Sequence, residues 1–163
     1  MTFPLMPPTH TQQDHDVIAR QAWMRVLARA GADDIRTCLR DAGIEPQWTR
    51  VRGPESGLAM VRGRVGGSGA PFNLGEMSVT RCTVCLANGT VGHAYVVGRD
   101  QAQAELAAVA DALLLAPDTH ESMQRAVIAP LAAPQARARE TIARKAAATR
   151  VDFFALSTMR TTS

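Results

Sequence analysis

Between Asp14 and Ala30 the apolar positions Ile18, Ala22, Trp23, Val26, Leu27 and Ala30 recur at helical spacing, with Arg20, Arg25 and Arg29 between them. That spacing predicts an amphipathic helix with one apolar stripe, ended by Gly31. A second, shorter helix follows, with Ile35, Leu39 and Ala42 on one face. Asp33 is placed to cap it and Gly43 to follow its end in the left-handed conformation. Ahead of Asp14 the segment 1–13 carries Pro4, Pro7 and Pro8 among polar residues. It reads as a disordered tail, and 14–163 as a single domain.

Beyond Pro46 the apolar period changes from about 3.6 to 2, with β-branched residues and glycine punctuation as far as Gly98. This predicts four strands: Trp48–Arg52, Leu58–Val65, Phe72–Ala87 with a break or bulge near Gly75, and Thr90–Val97. Asn88-Gly89 is the dipeptide of a two-residue hairpin turn, so the last two strands are expected to pair antiparallel. The short connectors leave no room for crossover helices, which selects a meander. Helical spacing returns over Gln101–Ala116, capped by Asp100 and stopped by Pro117. A short helix near Glu121–Ile128 ends at Pro130, and an Ala-rich helix spans about Gln135–Thr149. The order ααββββααα predicts an α+β fold, an antiparallel four-stranded sheet flanked by helices.

The chain has 163 residues, 46% hydrophobic and 20% charged, a balance suited to one soluble globular domain and not to wholesale disorder. Net charge is +3, a mild attraction for anions. Aromatic residues make up 4%, few for the stacking platforms of single-strand binders, and with the modest charge this argues against nucleic acid, so none is expected as a partner. The most apolar stretch, Leu106–Ala116, is interrupted by Asp111 and too short to span a bilayer. The N-terminus has neither the basic nor the apolar region of a secretory signal. Three cysteines are too few for a secreted disulfide framework, and the expected location is the cytoplasm, away from any membrane.

Arg64-Val65-Gly66-Gly67-Ser68-Gly69 is the stretch most suited to phosphate chemistry, because glycines let backbone amides approach an anion. It lacks the Gly-Lys-Ser/Thr ending and the helix of a P-loop, so a flexible hairpin connection competes with an anion cradle. Arg62 and Arg64 project from one strand just before it. Cys82 and Cys85 have CxxC spacing, but in a strand residues three apart point to opposite faces, against a metal or disulfide site. His10, His15, His93 and His120 lack metal-site spacing. His93 in a strand beside Tyr95 is either an acid or base or a satisfied structural histidine. Glu55, Glu76 and Asp100 are isolated carboxylates near strand ends, compatible with acid-base or capping roles. The arginines of the last helix read as a solvated face.

Seven blocks then occur in a familiar order: QAWMRVLA (Gln21–Ala28), ESGL (Glu55–Leu58), RVGGSG (Arg64–Gly69), FNLGEMSVTR (Phe72–Arg81), GRD (Gly98–Asp100), IAPL (Ile128–Leu131) and RVDFF (Arg150–Phe154). On these blocks the chain resembles the PhnG family, the G subunits of the bacterial carbon-phosphorus lyase core complex. The resemblance implies a subunit of α-D-ribose 1-methylphosphonate 5-triphosphate synthase, in which a phosphonate oxygen displaces adenine from the ribose of MgATP. It also implies H, I and J subunits as partners. The I subunit is associated with the nucleosidase-like chemistry. The iron-sulfur cluster and S-adenosylmethionine belong to the J subunit alone, and no cofactor is expected on this chain itself. Family members commonly carry arginine or another polar residue at the place of Cys85.

Glycosyl transfer at an adenosine ribose needs an acid for departing adenine, stabilisation of an oxocarbenium-like centre and cations for the triphosphate. The sequence offers scattered arginines without paired carboxylates, which points to a structural or co-catalytic subunit. Its candidate anion-binding or interface residues are Arg62, Arg64, Gly66, Gly67, Gly69, Glu76, Arg81 and Arg99, with Phe153 and Phe154 in an apolar C-terminal segment that docks on this domain or on a partner. The alternative is a stand-alone anion or nucleotide-binding module.

Overall fold

The computed structural model describes residues 10–65 and 68–149. Helices α1 (His10–Leu27) and α2 (Ala32–Asp41) are followed by strands β1 (Trp48–Arg64), β2 (Pro71–Leu86) and β3 (Val91–Val97), then by α3 (Gln101–Leu115) and α4 (Pro117–Met123). A π-helical turn, Gln124–Ile128, leads directly into α5 (Ala129–Ala148). Helix α1 starts at His10, ahead of the expected Asp14. The first nine residues of the expected tail, the glycines Gly66 and Gly67, and the C-terminal segment with Phe153 and Phe154 lie outside the described residues.

The fold is α+β with an antiparallel meander, but the sheet has three strands in the order β1-β2-β3, not four. The two strands expected at Trp48–Arg52 and Leu58–Val65 are one 17-residue strand, β1. Gly53-Pro54 reads in sequence as a strand break. At the sheet edge a proline sacrifices no ladder bond if its nitrogen faces outward, and the surplus residues are absorbed as bulges. Register shifts fall between Arg50 and Arg52 and between Arg52 and Glu55. The irregularity expected near Gly75 is present, where Val61 pairs with Gly75 but Arg62 with Asn73.

The β2–β3 hairpin differs from the expected two-residue turn. Gly89 alone adopts positive φ (85°), and the Leu86 amide donates to the Thr90 carbonyl across a loop of three residues. A type I turn followed by one left-handed residue closes such loops, so Asn88 needs no strained dihedral. Its side chain instead accepts from the Thr90 amide at 3.0 Å.

Alternation along β2 and β3 puts Thr80, Cys82, Val84 and Leu86 with Gly92, Ala94 and Val96 on one buried face. Helix α3 lies across that face. Gly92 makes the close approach possible: a Cβ there would sit 2.2 Å from the Ala108 carbonyl oxygen and 2.5 Å from the Ala112 nitrogen. Helices α1, α2 and the α4–π-turn segment cover the far side of α3, so its residues are buried all round, as its alanine-rich composition allows. Asp100 caps it as expected, accepting from the Gln103 amide at 2.9 Å.

Three further expectations at the helices are corrected. Gly31, not Asp33, is the N-cap of α2, and Asp33 pairs with Arg36 in the first turn. Gly43 does take the left-handed conformation, with its own amide and that of Ile44 bonded to the Arg40 and Leu39 carbonyls. In α1, Ile18 is exposed and the burial begins at Trp23, because only the C-terminal turns of the helix reach the core. Past Pro117 the two expected helices are continuous: the π-turn just ahead of Pro130 widens the winding and gives the proline ring room.

Candidate functional site

The face of the sheet away from the helices is open, and cross-strand register sets its side chains in rows. Glu55, Arg81 and Tyr95 form one row, Arg52, Thr83 and His93 the next. Arg81 donates from Nη2 to Glu55 Oε2 at 3.1 Å and from Nε at 3.3 Å, while Arg52 Nε stands 3.5 Å from Glu55 Oε1. The Tyr95 hydroxyl and the Glu55 carboxylate hold the Arg81 guanidinium above its ordinary value, so it stays a cation at any physiological pH. An open cleft of about 350 Å³ lies over this row, walled by Leu58, Ala59 and Val79 and reaching Ser56. Ser56 and Thr80 share a 2.9 Å hydrogen bond, and Thr80 Oγ1 donates to the Gly98 carbonyl at 2.8 Å, tying the β3–α3 turn to the sheet.

Arg62 and Arg64 sit far from that row. They lie on one face near the tip of the β1–β2 ribbon, roughly 20–30 Å along the strand from Glu55 at ~3.3 Å per residue. With Gly63 and Pro71 they line an open hollow of about 560 Å³. Arg64 Nη1 donates to the Gly69 carbonyl at 3.1 Å. The Gly69 amide bonds to the Val65 carbonyl, whose oxygen would be 2.7 Å from a Cβ at this position, so the turn requires glycine there. Glu76 pairs in register with Met60, on the side of the ribbon opposite the Arg81 row by strand alternation. Arg99 is exposed in the β3–α3 turn. Arg62 and Arg64 therefore stand apart from Arg81 along the sheet.

The thiols and histidines have local roles. Cys82 is buried on the helix side, with Sγ donating to the Arg52 carbonyl at 3.4 Å, and Cys85 is half-buried on the opposite face. Burial raises the Cys82 thiol pKa, with Glu105 adding to the shift. Cys38 is raised by burial first, then by Asp41 and Asp34. Neither is poised as a nucleophile. His93 Nδ1 lies 3.1 Å from Thr83 Oγ1, the satisfied-histidine arrangement. His120 Nδ1 is 2.6 Å from the Leu114 carbonyl, which can only accept, and its ring stands edge-on to Trp23 at 5.6 Å. Among the described residues no group of three or more His, Cys, Asp and Glu side chains is arranged to hold a metal ion. No described helix is long and apolar enough to cross a membrane.

Two anchors escaped the sequence reading. Asp111, fully buried in α3, accepts from Arg20 Nη2 at 2.7 Å, from Trp23 Nε1 at 2.9 Å and from the His93 amide at 2.9 Å, joining α1, α3 and β3. The signal was present: one carboxylate in an otherwise apolar run is tolerated in a core only when its oxygens are occupied. Glu105 takes a two-pronged contact from Arg50, at 2.7 and 2.9 Å, and a bond from Trp48 Nε1 at 3.1 Å. The Arg50 hydrogen bonds hold its carboxyl below the usual range, the Trp48 bond adds to this, and partial burial opposes them. This contact pins the start of β1 to α3.

The sequence profile of the family described as phosphonate metabolism protein PhnG matches residues 18–160. A curated relative from Rhizobium meliloti (strain 1021), the PhnG subunit of alpha-D-ribose 1-methylphosphonate 5-triphosphate synthase, is 43% identical over 155 residues, covering 93% of this chain and 97% of the relative. A match that runs nearly end to end in both directions spans the body, both anchors and the β1–β2 ribbon alike, and on it the chain belongs to the PhnG family.

Proposed function

We propose that this chain is a subunit of a ribose 1-methylphosphonate 5-triphosphate synthase in the cytoplasm, acting with H, I and J partner subunits of the carbon-phosphorus lyase system. The observation that carries this reading is the near end-to-end match to a relative named as that subunit. In the reaction, an oxygen of the alkylphosphonate attacks the ribose anomeric carbon of MgATP. The bond from that carbon to the adenine nitrogen breaks, and adenine leaves with a proton. This chain contributes structure and positive charge, while partner subunits supply the remaining groups. Iron-sulfur and S-adenosylmethionine chemistry belongs to the J partner.

Within that role the geometry favours Arg62 and Arg64 over Arg81 for contact with the triphosphate. Arg81 is already engaged by Glu55, whereas Arg62 and Arg64 stand together at the ribbon tip, with no carboxylate paired to either guanidinium among the described residues and Arg64 on the Gly69 carbonyl. Co-expression with the candidate partner subunits, followed by size-exclusion chromatography with light scattering, tests the subunit reading: co-elution at fixed stoichiometry is expected. A folded chain that never associates, and instead binds ATP or a phosphonate alone, replaces it with the binding-module reading. In the assembled synthase, Arg62→Ala with Arg64→Ala is expected to raise KM for MgATP or lower turnover. Unchanged kinetics remove the shared-site role.

A further inference from the structure

The sheet has two edges, and they are finished differently. On β3 the outward His93 amide is satisfied by the buried Asp111 carboxylate, and Met24, Leu27 and Ala28 of α1 stand beside the strand across a narrow crevice. On β1 the first stretch carries the devices that keep edges from pairing: bulges on either side of Arg52, a proline at Pro54, and charges at Arg50, Arg52 and Glu55. From Ser56 to Val61 these devices stop. Pairing with β2 runs residue for residue from Thr80 to Gly75, and the sequence Gly57-Leu58-Ala59-Met60-Val61 holds neither charge nor proline. Among the described residues nothing pairs with the outer side of this stretch.

The same stretch is bare on its faces. Leu58 is 65% exposed, Met60 53%, Leu74 63%, Phe72 43% and Met77 37%. At about 200 Å² of total surface for each such residue, these fractions leave roughly 500 Å² of mostly apolar area in water. That area is divided between the two faces of the ribbon, Leu58 and Met60 on one and Met77 on the other, so a partner that grips the ribbon edge and touches both faces would bury about the apolar share of one side of a standard interface, ~450 Å². A two-stranded ribbon alone is marginal in water, and a third strand would supply the missing ladder at its edge.

We propose that the β1 edge from Gly57 to Val61 accepts an uncharged, apolar β-strand of another subunit of the synthase, extending the sheet to four strands. The proposal rests on the subunit reading above. Docking there also carries Arg62 and Arg64, a few residues further along β1, to the partner's surface.

Hydrogen exchange by mass spectrometry on the isolated chain and on the co-purified complex tests it, together with Leu58→Lys/Met60→Lys as a double variant and Ile142→Lys on the exposed face of α5 as a control. The expected result is exchange at 57–61 slowed about tenfold or more in the complex. The double variant loses co-elution while keeping the isolated chain's thermal midpoint, and the control co-elutes. Co-elution without slowed exchange at 57–61, or a double variant that co-elutes like the wild type, overturns the strand addition and leaves the subunit reading standing. Slow exchange already in the isolated chain at those amides of 57–61 that face away from β2 also overturns it, since the edge is then filled by this chain's own residues or a second copy. Should the double variant lower the midpoint, the wild-type exchange comparison decides alone. A wild-type chain that never co-elutes removes both readings.

Discussion

The two halves of β2 sit in opposite surroundings. From Thr80 to Leu86 every second residue is buried under α3, and a glycine in the neighbouring strand lets the helix backbone come within contact distance. From Pro71 to Met77 every residue is exposed, apolar ones included. Both halves form the same ladder with β1, so strand propensity does not separate them. What separates them is cover: the body half has its own helices, and the ribbon half extends past them. A domain that folds around one part of a sheet and leaves another uncovered is stable by itself through the first part and selective toward partners through the second.

That contrast is sharpest at Asp111. Replacing it with alanine leaves the Trp23 indole N–H and the His93 amide buried without an acceptor, and Arg20 without its partner. A loss of about 3 kcal/mol or more is expected in urea unfolding, enough to threaten the fold. Gly92→Ala comes next. Its Cβ overlaps α3 backbone, which cannot rotate away, and a loss of about 1–3 kcal/mol is expected as a lower thermal midpoint. The matching change in the ribbon, Gly57→Ala, meets nothing within 4 Å and requires no positive φ. It is expected to be neutral or to add about 0.5 kcal/mol, so equal losses at the two glycines would erase the distinction between body and ribbon.

A smaller effect concerns acid. The folded-state pKa of Glu105 lies below the ordinary 4.5, chiefly through Arg50. A carboxylate depressed in this way stabilises the fold above its unfolded pKa, and that contribution fades as pH falls through the folded value. Glu105→Gln is therefore expected to lower the midpoint at pH 7, with a gap to wild type that narrows as pH falls below the ordinary 4.5 and closes only beneath the depressed folded-state value. A gap that stays constant with pH would show that the contact acts through packing. The smallest effect is expected at Leu74→Ser in the ribbon, within about 0.5 kcal/mol in the isolated chain. A larger loss would mean that the ribbon is covered in the free protein.

Much of this architecture was legible because it is local. Asp100 capping α3, Gly43 ending α2, the bulge near Gly75 and the opposite faces of Cys82 and Cys85 all depend on residues within a few positions of one another. Gly53-Pro54 misled for the same reason. A local rule reads it as a break, whereas β1 continues through it because the strand is at an edge, and edge position is a property of the whole sheet. Arg62 and Arg64 were rightly paired with each other, since two residues along a strand share a face. Grouping them with Arg81 and Arg99 was beyond local reasoning, because strand length sets that separation.

The sequence alone determined the class of fold, the antiparallel meander, the capped central helix and, through blocks spread along the chain, the PhnG family. These are consequences of periodicity, turn chemistry and motif order, each carried by near neighbours. Tertiary structure alone decided that the sheet has three strands, that Asp111 is the buried joint between α1, α3 and β3, and that Asp111 occupies one edge while part of the other stays open. Those outcomes depend on which groups remain unpaired after the chain has closed on itself, a balance of burial and hydrogen bonding between residues up to 91 positions apart.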